Sequence, residues 1–319
     1  MIQYQAAVVT ASAIERMLTN SPPLPSGFFA SVFGCILAGM AARTIQVLGV
    51  LRSPAWLLLP VGLLYGALAL LPIGVILRLG LSDGGAPLHT VLRSPLLLRA
   101  AENTVVISLL TTVVAVLLGA LLAVAVWRAG PALRPLLWAC ILLPFWTGVL
   151  IKNFAWASLL QDNGVVNALL LALGVTGHPL TLLHTRFAVI VGMVHYVLPY
   201  AVFPIYTALR AIDPLLERAA RSLGAAPRRV IWWVILPLIV PGISNAALLV
   251  FIVSCGFFIT PVILGAPSDM MIANLIDYYV HDLVDFNAAA ALSLLILAAI
   301  AGLIVAQQML PKEGQHGAA

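Results

Sequence analysis

The sequence predicts an all-α, polytopic membrane protein. Of its 319 residues, 62% are hydrophobic and 8% are charged, and the mean hydropathy is +1.10, so the chain is far more apolar than an average soluble domain. Apolar runs of roughly 20 residues, the length that crosses a bilayer as a helix, recur along the chain. Basic residues gather in the connections between these runs, as is typical of membrane proteins.

Six apolar runs are long enough to cross, and we expect them to form a six-helix core. In chain order they cover residues 56–77, 104–127, 135–151, 187–209, 235–264 and 288–306. The predicted organisation is a transmembrane domain over residues 56–308, an N-terminal segment over 1–55 and a tail over 309–319. The net charge of +5 then belongs to the connections and indicates membrane orientation rather than a nucleic-acid partner.

The N-terminal segment fits this pattern least well. It has a polar start and the helix-breaking cluster TNSPPLPSG, without the basic region and cleavage site of a signal peptide. We expect it to lie at the membrane interface or to add one span over residues 28–51, in which Arg43 would cost up to about 3 kcal/mol at the bilayer centre. A third alternative is that translation starts at Met40.

The distribution of arginine predicts which side each connection faces. Arginines follow the second and fourth runs, at Arg128, Arg134, Arg210, Arg218, Arg221, Arg228 and Arg229. By contrast, the connection over residues 265–287 has four aspartates and no lysine or arginine. The positive-inside rule therefore predicts that both chain ends are cytoplasmic, although Arg78, Arg93 and Arg99 lie on the side predicted to be external.

A short polar stretch, ERAARSLGAAPRRVIWWVILPLIVPG from Glu217 to Gly242, interrupts the apolar sequence. Just before it, Asp213 and Pro214 predict a helix start, since aspartate caps free N–H groups and proline suits the first helical position. Gly224 predicts the helix end, because glycine readily adopts the positive φ that follows a C-cap. Ten residues rise about 15 Å, half of the hydrocarbon thickness, so this helix is too short to span the bilayer.

The same stretch predicts a contact surface for a soluble partner. One face of the short helix carries apolar side chains at helical spacing between Leu215 and Leu223, and the other face carries Glu217, Arg218 and Arg221. A second helix from Pro227 would lead into the fifth span. The alternative is an ordinary amphipathic loop that binds nothing.

The pattern resembles the EAA loop of type I ABC importer permeases, in which Glu-Ala-Ala is followed by three residues, glycine, nine residues, a hydrophobic residue, one further residue and Leu-Pro. The matching positions here are Ala219, Ala220, Gly224, Val234, Leu236 and Pro237. Arg218 departs from the pattern, because it occupies the place of the family's glutamate while Glu217 stands one residue earlier. The stretches LLQDNGVVNALLLALG and FFITPVILGAPSDMMIANLI are similar to external loops of the spermidine/putrescine-type branch.

This resemblance implies a permease subunit in the bacterial inner membrane that works with two ATP-binding subunits, a second related permease and an external solute-binding protein. It implies that the loop over residues 211–234 and the start of the fifth span couple to the ATP-binding subunits, through Glu217, Arg218, Ala219, Ala220, Arg221, Gly224, Ala225, Leu236 and Pro237. The implied substrate is a small solute, a polyamine such as spermidine or putrescine, with opine-like, phosphonate and amino-acid-like solutes as alternatives.

Several residue patterns needed for independent chemistry are absent from the sequence. The only lysines, Lys152 and Lys312, are not part of a phosphate loop, so we expect no enzyme activity and no cofactor in this chain, with ATP hydrolysed by partner subunits. The histidines lack metal-ligand spacing, and Cys35, Cys140 and Cys255 form no CxxC pattern. No Asp or Glu lies near the centre of a clear span, which disfavours the rival hypothesis of a stand-alone secondary carrier.

Three residues are candidates for the substrate pathway: Lys152, His195 and Tyr196. His195 and Tyr196 lie within the fourth predicted span, and ionisable groups in membranes usually face cavities. Lys152 stands at the outer end of the third predicted span, where it could meet an anionic solute. The alternatives are structural, with His195 hydrogen-bonded between helices and Lys152 snorkelling to the interface.

Overall fold

A computed structural model describes residues 59–309 of the protein. The alternatives for the N-terminal segment and nearly all of the predicted tail lie outside the described residues. Contacts between Cα atoms divide the chain into two units, Met1–Ala67 and Leu68–Ala319. The sites described below all belong to the second unit.

The described residues are mostly helical, and no strand occurs among them. The helices are α1 (Leu59–Gly80), α2 (Ala86–Leu92), α3 (Pro95–Arg128), α4 (Leu133–Trp146), α5 (Val149–Leu160), α6 (Val165–Ala172), α7 (Arg186–Arg210), α8 (Pro214–Ser222), α9 (Pro227–Val230), α10 (Leu236–Cys255), α11 (Ile259–Leu264), α12 (Ile272–His281) and α13 (Phe286–Met309).

Five helices in residues 59–309 are long and apolar enough to cross a membrane, and a bent pair of helices forms a sixth candidate. The five are Leu59–Gly80, Pro95–Arg128, Arg186–Arg210, Pro227–Cys255 and Phe286–Gln307. Each of the six predicted apolar runs therefore corresponds to one of these elements. The all-α, multi-span fold class is confirmed.

The third run differs from the single span predicted over residues 135–151. Its two arms, Leu133–Trp146 and Val149–Ala172, are bent by 100°. Pro144 weakens the last turn of α4 because proline donates no backbone hydrogen bond, and the extended backbone at Thr147 and Gly148 then turns the chain. The prediction of one uninterrupted span was wrong here, and Lys152 consequently lies in the second arm.

The fifth span starts and ends earlier than the predicted residues 235–264. Helix α9 continues into α10 through a π-helical turn, Ile231–Ile235, so the span covers Pro227–Cys255. The wider turn directly precedes Pro237, which cannot donate a hydrogen bond to the turn before it. Residues 256–258 then interrupt the helix before α11.

Helix α7 lies at the centre of the larger unit. In its most apolar window 56% of the residues are buried, compared with 33% or less in the other four long helices, and it packs against α3 and α10. The contact with α3 uses small residues: a Cβ on Gly119 would lie 2.7 Å from the Cβ of Ala201, so the two backbones approach closely. Helix α7 therefore lies between the two groups of candidate functional residues. His195 and Tyr196 are on the helix itself, and the loop over residues 211–234 follows its C-terminus.

Candidate functional site

Helix α8 begins where the sequence predicts. Asp213 is the N-cap, its Oδ1 accepts a hydrogen bond from the backbone N–H of Leu215 at 2.8 Å, and Pro214 occupies the first turn. The helix ends after nine residues at Ser222. The predicted short helix between two spans is confirmed.

Gly224 ends this helix in the left-handed conformation, with φ of +81°. Its N–H donates to the carbonyl of Arg221 at 2.9 Å, and the N–H of Ala225 donates to the carbonyl of Ala220 at 3.1 Å, which satisfies carbonyls that a helix end leaves free. A Cβ at this position would meet no heavy atom within 4 Å. The position therefore favours glycine for its backbone angle and not for lack of space, as predicted.

The apolar face of α8 is largely uncovered in this chain. Leu215, Leu216 and Leu223 are 63%, 46% and 89% exposed, and no residue of α8 is buried. Ala220 and Ala225, in contrast, pack against the core cluster that includes residues of α7 and α10. The two alanines thus attach the loop to the spans, while the three leucines remain partly or largely exposed.

The polar face of α8 shows what the departure from the EAA pattern does to the helix. The Oε1 atom of Glu217 accepts a hydrogen bond from Nη2 of Arg221 at 2.6 Å, one helical turn away. Arg218 is exposed and forms no salt bridge within residues 59–309, and Ala219 beside it is also exposed. The glutamate therefore pairs within its own helix, and the arginine that replaces it in the pattern projects outward.

From Pro227 onward, the loop continues into the fifth span as one helical element. Leu236 and Pro237 form the first turn of α10, and Leu236 packs against the same core cluster as Ala220. The span Pro227–Cys255 therefore joins the end of the loop to a helix that contacts α3 and α7.

The second group of candidate residues meets where α5 packs against α7. The Nζ atom of Lys152 lies 4.6 Å from the centroid of the Tyr196 ring, and the lysine is 7% exposed. The Tyr196 ring also stacks on Tyr200 at 6.2 Å and meets Phe257 edge-on at 4.9 Å. The ammonium group is held against an aromatic face, a favourable cation–π geometry, and does not extend to the surface as a snorkelling lysine would.

His195 joins the same two helices. Its Nδ1 accepts a hydrogen bond from Nε1 of Trp156 at 3.0 Å, so the neutral ring carries its proton on Nε2. The structural alternative for this residue, a hydrogen bond between helices, is therefore present in the fold. Lys152, His195 and Tyr196 therefore lie together where α5 packs against α7.

Sequence reasoning missed a buried polar pair beside Lys152. The Nδ2 atom of Asn153 donates to Oγ1 of Thr260 at 3.1 Å, and both side chains are buried. Two polar residues within apolar runs were visible in the sequence, but their pairing across 107 positions depends on the bend after α4. The aromatic partners of Tyr196 were also missed, although Tyr200 lies one turn away on the same helix, a spacing visible in the sequence, while Phe257 approaches from the break after α10.

The acidic connection over residues 265–287 is partly fixed by internal bonds. Asp269 is buried and accepts a hydrogen bond from Nε of Arg186 at 3.1 Å. Nη2 of the same arginine donates to Oδ1 of Asn103 at 2.8 Å, and Nδ2 of Asn103 donates to the carbonyl of Ser268 at 2.7 Å. This network ties the connection to α3 and to the start of α7.

Comparison with known proteins places these features in a family. Residues 102–312 match the model of the family described as "Binding-protein-dependent transport system inner membrane component". The spermidine/putrescine transport system permease protein PotB of Haemophilus influenzae is 33% identical over 214 residues, which cover 66% of this chain and 75% of the relative. PotB of Escherichia coli is 32% identical over 211 residues, 66% of this chain and 77% of the relative.

A third relative and a solved structure extend the likeness beyond that region. The molybdenum transport system permease protein ModB of Mycobacterium bovis is 29% identical over 255 residues, 79% of this chain and 92% of the relative. A crystal structure of a bacterial ABC transporter involved in the import of the acidic polysaccharide alginate matches with a TM-score of 0.67 and 18% identity, covering 81% of this chain and 96% of that chain. The chain therefore belongs to the family of binding-protein-dependent transport system inner membrane components.

Proposed function

We propose that this chain, a permease of an ABC importer, carries a polyamine such as spermidine or putrescine across the inner membrane after an external binding protein delivers it. The main supporting observation is the exposed leucine face of α8. Ala220 and Ala225 pack this loop against the spans, and the fifth span begins directly after it at Pro227. An exposed apolar face on a helix that is packed against the spans is typical of a binding site for another protein. The polyamine is supported by the names of the two PotB relatives.

The coupling step uses the residues that the EAA resemblance selects. One ATP-binding subunit binds this chain, at the exposed face that contains Leu215 and Leu223. A second ATP-binding subunit binds the second, related permease. ATP binding draws these subunits together, the loop over residues 211–234 follows, and Leu236 and Pro237 move with it at the start of the fifth span. Coupling needs contacts that differ between two states of the transporter, and a docked helix supplies them.

The solute passes the group formed by Lys152, His195 and Tyr196. Aromatic faces attract ammonium groups, and the Lys152 ammonium already lies on the ring of Tyr196. A polyamine ammonium would be stabilised by the same type of contact. In this proposal the ring is the contact surface and Lys152 is its occupant when solute is absent.

A second candidate substrate class, an acid-bearing solute of the opine, phosphonate or amino-acid-like kind, is favoured by the charge of this group. Lys152 is buried and forms no salt bridge with a carboxylate in the described part of the chain. An uncompensated buried cation attracts an anion. The relative ModB is named as a molybdenum transport permease, so the relatives of this chain include one that is not named for polyamines.

The test begins with purification of the tagged full chain from its native host in mild detergent. Two ATP-binding subunits, a second permease and a binding protein are expected to accompany it, and the reconstituted complex should take up labelled putrescine only with ATP and the binding protein. Competition by unlabelled spermidine and by an aminophosphonate separates the two substrate classes. A chain that transports solute alone in liposomes, driven by an ion gradient, would instead establish the stand-alone carrier.

A further inference from the structure

A cavity of about 230 Å³ lies behind α8, where the ends of several helices meet. Its wall includes Trp127, Arg134, Tyr206, Arg210, Asp213 and Glu217; we call it the interfacial cavity. Its volume is below the roughly 300–1,000 Å³ of sites that take drug-sized molecules. It is large enough for a small polar group such as a phosphate.

The arginines of the interfacial cavity retain unused donors. Arg134 donates from Nη2 to the carbonyl of Ala129 at 2.9 Å, but its Nε is buried without a hydrogen-bond partner. Arg210, the last residue of α7, forms no salt bridge within residues 59–309. A buried donor without a partner is unfavourable, so a ligand that accepts hydrogen bonds here would be stabilised.

The two carboxylates of the cavity wall are already engaged. Oδ1 of Asp213 accepts from the N–H of Leu215 at 2.8 Å, and Oε1 of Glu217 accepts from Arg221 at 2.6 Å. Arg221 is not part of the cavity wall, but its salt bridge neutralises Glu217. The wall is then left with two guanidinium groups, Arg134 and Arg210, and one uncompensated carboxylate, Asp213. This balance favours an anionic ligand, and planar guanidinium groups match the oxygens of a phosphate particularly well.

The position of the cavity indicates the source of that phosphate. Arg128 ends α3 and Arg210 ends α7, and Trp232 and Trp233 are exposed on the adjoining turn, a combination of basic and aromatic residues that marks the headgroup level of a membrane. Basic pockets between spans bind acidic lipid headgroups. We propose that the interfacial cavity binds the phosphate of an anionic phospholipid, with Arg134 and Arg210 as donors.

A headgroup bound by Arg134 and Arg210 would join the start of α4 to the end of α7 directly behind α8. The inference depends on the membrane-spanning fold and on neither the substrate nor the coupling role. Free inorganic phosphate offers the same chemistry, and the experiment below distinguishes the two sources.

The experiment measures lipid retained by the purified full-length complex. Wild type, Arg210→Gln and the double variant Arg134→Lys/Arg210→Gln are placed in nanodiscs of phosphatidylcholine containing a minor fraction of phosphatidylglycerol, and retained lipids are counted by native mass spectrometry. Arg229→Gln is the matched control, because Arg229 is exposed on the same loop and is not part of the cavity wall. Loss of one charge-assisted hydrogen bond should lower phosphatidylglycerol retention about tenfold in Arg210→Gln, with no change in the control.

Equal retention in wild type, Arg210→Gln and Arg229→Gln would overturn the proposal. So would a wild-type protein that shows no preference for phosphatidylglycerol over phosphatidylcholine but takes up inorganic phosphate, since the site would then be a free-anion site. If the double variant does not assemble, the exposed Arg210 still decides the question alone. Because retention is read without transport, failure of the proposed substrate would leave this result unaffected.

Discussion

Gly242 of α10 and Ala208 of α7 approach so closely that a Cβ on the glycine would lie 2.5 Å from the Cβ of the alanine. The same atom would lie 3.1 Å from the carbonyl oxygen of Pro204. This contact joins the central helix α7 to α10, which belongs to the span that follows the loop over residues 211–234. Small residues at such crossings allow the two backbones to come into close contact.

Gly242→Ala should destabilise the assembled complex by about 1–3 kcal/mol, because overpacking forces the two helices apart. Its thermal unfolding midpoint should fall and ATP-driven uptake should decrease. The exchange Gly242→Ala with Ala208→Gly moves the methyl group to the other helix and should recover part of the loss. A Gly242→Ala variant with unchanged melting and uptake would show that the spans do not pack as described.

Gly224→Asp should leave the chain inserted but uncouple ATP hydrolysis from uptake. The charge would stand at the turn that ends α8, beside the uncovered leucine face. Gly224→Asn is the matched control, because Asn and Asp both tolerate positive φ better than most residues, so the pair separates charge from backbone conformation. Uptake and ATPase activity are measured on the same preparations, and normal uptake by the Asp variant would refute the coupling role.

Glu217→Ala should have a smaller effect than Gly224→Asp. The carboxylate pairs with Arg221 within its own helix, and exposed pairs one turn apart contribute about 0.3–0.5 kcal/mol. We expect uptake to fall less than twofold, a size consistent with so small a contribution. Arg221→Gln removes the same pair and should match it. If Glu217→Ala abolished uptake while the complex stayed intact, the displaced glutamate would have a direct role in docking.

How far the sequence predicts this molecule depends on how local each feature is. The start of α8 at Pro214 and its end before Gly224 follow from single residues, and both were predicted. The bend after Trp146 depends on one proline and one glycine within a long apolar run, and the apolar run alone wrongly predicted an uninterrupted span. The contact between Lys152 and Tyr196 depends on that bend, so the sequence could nominate the residues but not their geometry.

Lys152→Met distinguishes the two substrate classes. The change keeps most of the side-chain volume and removes the ammonium from the ring of Tyr196. For a polyamine, uptake should persist or rise, whereas Tyr196→Leu should lower it about threefold to tenfold, the range expected from one cation–π contact of about 1 kcal/mol. Uptake of labelled putrescine by the reconstituted complex is the measurement, with Lys152→Arg as the charge-preserving control.

The opposite pattern would change the substrate assignment. If Lys152→Met lost uptake while Lys152→Arg retained it, a positive charge at this position would be required. An acid-bearing solute would then be favoured over a polyamine.

Val284, between α12 and α13, has a φ of +53° and is 63% exposed. A β-branched residue in the left-handed region is strained, at a cost of about 1–2 kcal/mol for a residue with a Cβ. The turn is fixed by backbone bonds from Leu283 to Tyr278 at 3.1 Å and from Asp285 to Tyr279 at 2.8 Å. The surrounding hydrogen bonds, and not the side chain, therefore hold this conformation.

Val284→Asn should stabilise the protein modestly, by up to about 1 kcal/mol, because Asn adopts this region more readily than valine. Val284→Gly removes the strain completely but adds flexibility to the unfolded chain, so its gain should be similar or smaller. The midpoint of thermal unfolding of the purified complex is the measurement. Leu283→Asn is the control, because it also replaces an exposed apolar side chain by Asn but at negative φ. If both Val284 variants lowered the midpoint, the valine side chain would have to make a stabilising contact in the assembled transporter that outweighs its backbone strain.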